Sequence, residues 1–120
     1  MYYSPYEWGS SAWKFIHYIV LSYPEIPTQQ NKDTYRKYFE LTSEVLPCSH
    51  CRINFKKHLT ELPLTDEILS DKNSFILWSI KIHNLVNNNI GKDNFPEDII
   101  FLKNKLNDDI PENIKHLIKK

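Results

Sequence analysis

The chain has 120 residues, and its 15 Lys and Arg are balanced by 15 Asp and Glu. That length suits one domain, residues 1–120, able to bury about two-thirds of its unfolded surface, and the 41% hydrophobic and 13% aromatic shares support a packed core instead of disorder. The neutral charge gives no ground for nucleic-acid binding, no apolar run approaches the roughly 18 residues of a membrane helix, and no basic-then-apolar leader opens the chain.

The apolar spacing is helical almost throughout. Ala12, Phe15, Ile16, Ile19, Val20 and Tyr23 keep a 3–4 rhythm, which predicts a first helix from about Ser10 to Tyr23, ended by Pro24 and Pro27. Asp33 is the expected N-cap of a second helix carrying Tyr35, Tyr38, Phe39, Thr42, Val45 and Leu46. Pro47 closes it and takes the favoured first-turn position of a third, which holds Cys48, Cys51, Phe55 and Leu59 and stops at Pro63. Ser70 or Asp71 caps a fourth, with Phe75, Trp78, Ile82, Leu85 and Val86 in one stripe, and Gly91 fits the left-handed position after its end. A fifth helix starts near Pro96 and runs through Leu106; a short sixth, from Pro111, presents Ile114, Leu117 and Ile118. No segment alternates as a strand would, so the expected fold is all-α.

Apart from Met1, all the sulfur lies in Cys48-Ser49-His50-Cys51. At a helix start, free N–H groups and the dipole stabilise a thiolate, and Arg52 and Lys56 add positive charge. Two cysteines so spaced close a small ring that opens readily, as a redox site requires. Two other readings stand beside a redox dithiol. One is a small zinc-stabilised helical binding module using Cys48, His50, Cys51 and His58, although no second ligand pair completes a tetrahedron. The other is a pair of thiols without chemistry. A thioredoxin fold would need a strand before the motif.

The two glycines, Gly9 and Gly91, are too few for a Rossmann or P-loop phosphate cradle, so a nucleotide cofactor would need another architecture. His83, Asn84 and Asn87 share one edge of the fourth helix, either as a solvated face or as donors and acceptors for a polar heterocycle. Trp13 and His17 are i,i+4 partners on the first helix, and Lys92 follows Gly91 within reach of a phosphate.

Three blocks stand in order: Gly9-x-x-x-Trp13-x-x-x-His17 continuing to Tyr23-Pro24-Glu25-Ile26-Pro27-Thr28; Leu46-Pro47-Cys48-Ser49-His50-Cys51; and Trp78-x-x-x-x-His83-Asn84-x-Val86-Asn87-x-x-Ile90-Gly91-Lys92. Together they resemble the Erv/ALR family of FAD-linked sulfhydryl oxidases. The resemblance implies a four-helix bundle plus short C-terminal helices, with FAD held between helices. It implies FAD contacts at Gly9, Trp13, His17, His83, Asn84, Val86, Asn87 and Lys92, with no metal. Phe95 or Phe101 would cover the adenine. Cys51 would be the flavin-proximal cysteine and Cys48 the one that exchanges with substrate. Electrons would pass from the Cys48–Cys51 pair to FAD and then to O2, releasing H2O2.

The chain departs from the pattern in having Ile80 where many members have a stapling cysteine, Ser10 where arginine is common, and no cysteine after Lys92. In this it looks most like the minimal forms encoded by large DNA viruses. The family implies a homodimer, and the viral analogy implies a place in the host cytoplasm or the virion, passing disulfides to a thioredoxin-like or other dithiol protein.

Overall fold

The computed structural model describes residues 2–119, and among them every regular element is helical. Helix α1 spans Pro5–Leu21, α2 Gln29–Val45, α3 Ser49–Glu61, α4 Asp66–Leu69, α5 Lys72–Asn89 and α6 Ile99–Asp108. A 3-10 segment, Glu112–Leu117, follows. The long helices α1, α2, α3 and α5 form the bundle; α1, α3, α4 and α6 all pack on α5, while α2 packs on α3.

Helix α5 is the central element because its sequence leaves it, over most of its length, only a narrow wet edge, at Asn73, Lys81 and Asn88. Phe75, Ile76, Trp78, Ser79, Ile80, Ile82, His83 and Asn87 are all buried, and a helix apolar on several faces must be surrounded. Its amino-terminal half closes an aromatic core. The Tyr23 and Phe75 rings meet edge to face at 4.8 Å, as do Phe39 and Trp78 at 4.9 Å, the geometry that ring quadrupoles favour. The polar ends of these rings are satisfied: Tyr23 Oη donates to Leu69 O at 2.6 Å, and Trp78 Nε1 to Leu62 O at 3.0 Å. Each bond ties the core to the link between α3 and α5.

The caps explain where the expected boundaries shift. Helix α1 starts at Pro5, earlier than the apolar rhythm predicts, because Ser4 and Glu7 form a reciprocal capping box and Pro5 occupies the first turn. Thr28, not Asp33, caps α2: its hydroxyl accepts from Asn31 N while Asn31 returns a bond to Thr28 N. Asp33 is inside the helix and pairs with Gln29 and Arg36. Pro47 lies outside α3, and Cys48 itself is the N-cap. The turn α4 was not legible from periodicity; Thr65 caps it, and Arg36 pairs with Asp66 there.

At the end of α5, Gly91 has φ +74°, and Lys92 N–H donates to Asn87 O at 2.9 Å, closing a Schellman-type cap as expected. Asp98 caps α6, so that helix starts after Pro96 and not at it. The last segment, Glu112–Leu117, is 3-10 instead of α, and Ile114, Leu117 and, just beyond it, Ile118 are exposed. Phe15, expected in the buried stripe of α1, is 65% exposed.

Candidate active site

Cys48 and Cys51 are joined in a disulfide with Cα atoms 5.1 Å apart. Because Cys48 is the N-cap of α3, its sulfur takes the acceptor role that a serine or aspartate oxygen usually fills, and Cys51 N–H donates to it at 3.2 Å. When the ring opens, the same N–H and the helix dipole favour a thiolate on Cys48. The two expected cations are engaged elsewhere: Arg52 Nη1 donates to Leu46 O at 2.8 Å, and Lys56 pairs with Glu44 at 3.1 Å. Stabilisation of the thiolate therefore falls on the helix start.

The two sulfurs differ in surroundings. Cys48 is 1% exposed. Beside it, Tyr3 N–H donates to Pro47 O at 2.9 Å, while Tyr3 O accepts from Trp8 Nε1 at 2.8 Å. Cys51 borders a cavity of about 820 Å³, within the range of about 300–1,000 Å³ usual for small-molecule sites.

The cavity forms where α1, α3 and α5 part and α6 fails to close the gap. Of the residues expected at a cofactor, Gly9, Trp13 and His17 border it from α1, His83, Val86 and Asn87 from α5, and Lys92 from the loop beyond. Trp13 and His83 stack face to face, with centroids 4.1 Å apart and planes within 9°. His17 Nε2 and His83 Nδ1 are 2.9 Å apart. Lys92 Nζ lies 5.9 Å from the centre of the Tyr6 ring. Phe95 and Phe101 both border the cavity, and Phe95 approaches His83 with centroids 5.0 Å apart.

Asn84 stands apart from this group. Its amide makes two bonds to the Phe95 backbone, Nδ2 to O at 3.0 Å and Phe95 N to Oδ1 at 2.8 Å. It pins the loop that carries Lys92 and Phe95 and does not border the main cavity. Ser79 carries no motif that marks it in the sequence, and His58, offered above only as a zinc ligand, borders the cavity instead. His58 sits on the buried side of α3, three turns from Pro47 in the helical rhythm, and its Nε2 pairs with Asn89 Nδ2 at 2.8 Å.

Several features fit a large polar ligand. Asn87 Nδ2 and His58 Nδ1 are buried without a partner, although both residues border the cavity; such groups are costly unless something pairs with them. A Cβ placed on Gly9 would meet nothing within 4 Å, so this buried helical glycine leaves open space on the α1 wall. The zinc alternative has no ligand set: the cysteines bind each other, and among the described residues no three His, Cys, Asp or Glu converge on a metal position.

Burial lowers the pKa of His17 to about 4. Burial, then the neighbouring His17 and Lys92, lowers that of His83 to about 3. Both rings are neutral at neutral pH. Each binds a proton more readily once unfolded, where the pKa is near 6.5. Stability is therefore full above about pH 6.5 and is lost as the pH falls from there towards about 4. At about 1.4 kcal/mol per pKa unit, the loss is on the order of a few kcal/mol. The urea midpoint of the cofactor-free protein should fall steadily from about pH 7 to about pH 5; a flat midpoint over that interval would contradict the assignment.

Comparison with known proteins agrees with this geometry. The Erv1 / Alr family model matches residues 10–108. A probable FAD-linked sulfhydryl oxidase of Acanthamoeba polyphaga mimivirus is 45% identical over 98 residues, covering 80% of this chain and 68% of that protein. The FAD-linked sulfhydryl oxidase ERV1 of Arabidopsis thaliana is 33% identical over 88 residues, covering 73% of this chain but 44% of its own length. The chain thus spans about two-thirds of the viral relative and under half of the plant one. Among solved structures, the FAD binding domain of Erv1 from Saccharomyces cerevisiae superposes with a TM-score of 0.73 at 26% identity, over 88% of this chain and 95% of that one. With the helical bundle, the dithiol beside the cavity and these likenesses together, the chain belongs to the Erv1/Alr family of FAD-linked sulfhydryl oxidases.

Proposed function

We propose that this protein oxidises dithiols of partner proteins to disulfides, with FAD in the cavity and O2 as the final acceptor. The observation that carries the reading is the position of Cys51, which is joined to Cys48 and borders the cavity whose walls hold Trp13 and His83. FAD, when bound, supplies a two-electron acceptor that passes its electrons to O2 as H2O2.

The protein's own residues perform the exchange. A partner thiolate attacks Cys48 Sγ, the Cys48–Cys51 bond breaks, and Cys51 leaves as a thiolate facing the cavity. A second partner thiolate attacks the partner sulfur of the mixed disulfide and expels Cys48. The partner now holds a disulfide, and Cys48 and Cys51 hold the two electrons. The Cys51 N–H beside Cys48 Sγ favours Cys48 as leaving group in that second exchange. Because Cys48 is buried, the first attack needs the Tyr3–Pro47 contact to open. Trp13, His17 and His83 build an uncharged wall on the cavity that Cys51 also borders.

Exposed apolar side chains on α1 and α2, among them Phe15, Tyr18, Leu41 and Val45, support a homodimer as part of the same reading. With FAD and a thioredoxin-like dithiol protein, the wild type should consume O2 and form about one H2O2 per disulfide, and light scattering should give twice the 14.3 kDa chain mass. Cys48→Ser should remove turnover of the protein substrate while leaving the yellow flavin bound; retained turnover would reassign the exchange to another sulfur.

Gly9 gives a second, sign-separated test of the cofactor position. Gly9→Ala should stabilise the cofactor-free protein by about 0.5–1 kcal/mol, since alanine suits a helix interior and the space is open. It should weaken FAD binding about tenfold, or ~1.4 kcal/mol, by putting a methyl where the ligand packs. Unchanged FAD affinity, measured by fluorescence titration, would place the cofactor away from the α1 wall.

A further inference from the structure

The buried histidines form a directed chain whose polarity is set by a residue with no other evident task. Ser79 is fully buried on α5, one turn before His83. Its hydroxyl has one hydrogen, and that hydrogen is committed: Ser79 Oγ donates to Ile76 O at 2.6 Å, the back-bond serine often makes inside a helix. Towards His17 Nδ1, 3.3 Å away, Ser79 Oγ has only lone pairs to offer. His17 must carry its proton on Nδ1.

Both rings are neutral at neutral pH, with pKa values of about 4 and about 3, so each ring carries one N–H. With its proton on Nδ1, His17 Nε2 is an acceptor, and the group 2.9 Å from it, His83 Nδ1, must be the donor. His83 Nε2 then has no proton. Among the described residues nothing hydrogen-bonds to it, and His83 borders the cavity beside Trp13.

We propose that Ser79 is a positioning residue that fixes the tautomers of His17 and His83, so that His83 presents a bare Nε2 lone pair to the cavity and selects a hydrogen-bond donor of the cofactor. The group it takes is an N–H or O–H of FAD: a ring imide, an exocyclic amine or a hydroxyl. An acceptor such as a carbonyl or phosphate oxygen is disfavoured there. The naming of FAD rests on the function proposed above; the tautomers do not.

The direct test is two-bond 1H–15N correlation of histidine-labelled protein, without cofactor, at about pH 7, where the pattern of each ring reports which nitrogen is protonated. The wild type should show the Nδ1–H form at both His17 and His83. An Nε2–H pattern at either ring overturns the proposal, whatever the fate of the oxidase reading. Ser79→Ala should turn His17 into a tautomer mixture and raise the Kd for FAD about tenfold, while Ser79→Thr, which keeps the hydroxyl, should retain the wild-type pattern. A folded Ser79→Ala that keeps the Nδ1–H form at both rings also overturns it. Failure of the wild type to bind FAD would instead sink the cofactor assignment and leave the tautomer result standing.

Discussion

The contact between α1 and α5 at His17 and His83 is the constraint on which the site depends. Two neutral imidazoles share a hydrogen bond inside the protein, and Trp13 lies flat on the second of them. This polar joint holds α1 at a fixed angle to α5 without filling the space beyond it. If these positions were aliphatic, the helices would close as the Phe39, Phe75 and Trp78 end does, and the cavity would shrink. The bundle therefore has a packed aromatic end and an open polar end along a single helix, α5.

The dithiol is placed by an independent device, the start of α3. Pro47 stops the chain outside the helix, Cys48 caps it, and one turn of helix carries Cys51 to the cavity wall. Nothing in this arrangement needs a charged side chain at the sulfurs, because the first-turn N–H groups have no intrahelical carbonyl to bond and that of Cys51 donates to Cys48 Sγ. That explains why Arg52 and Lys56 can serve the surface instead. A cap residue that is also a redox sulfur links the stability of α3 to the state of the disulfide.

Much of this was legible in the sequence. The 3–4 rhythm located the long helices, Asp71 and Gly91 marked the ends of α5 correctly, and the Cys-x-x-Cys fell at a helix start. What periodicity missed was set by short-range hydrogen bonding. The Ser4–Glu7 box extends α1 through a polar stretch, the Thr28–Asn31 box outcompetes Asp33, and the turn α4 is too short to show a rhythm. At the site, a helical edge does not say which way an amide points: Asn87 turns to the cavity and Asn84 to the Phe95 loop. Ser79 left only a weak trace, a small polar residue in an apolar run four positions before His83. Phe15 shows the opposite error, an apolar residue in rhythm that faces outward.

In the proposed reaction, electrons leave the protein through Cys51 into a flavin held by α1 and α5. Anaerobic rapid mixing of the FAD-loaded protein with excess dithiol, followed by the visible flavin band, tests it most directly. The wild type should bleach in one phase, while Cys51→Ser, with FAD bound to the same extent, should not bleach on the turnover timescale. Bleaching of Cys51→Ser at the wild-type rate would contradict the account, because the dithiol would then reach the flavin without that sulfur.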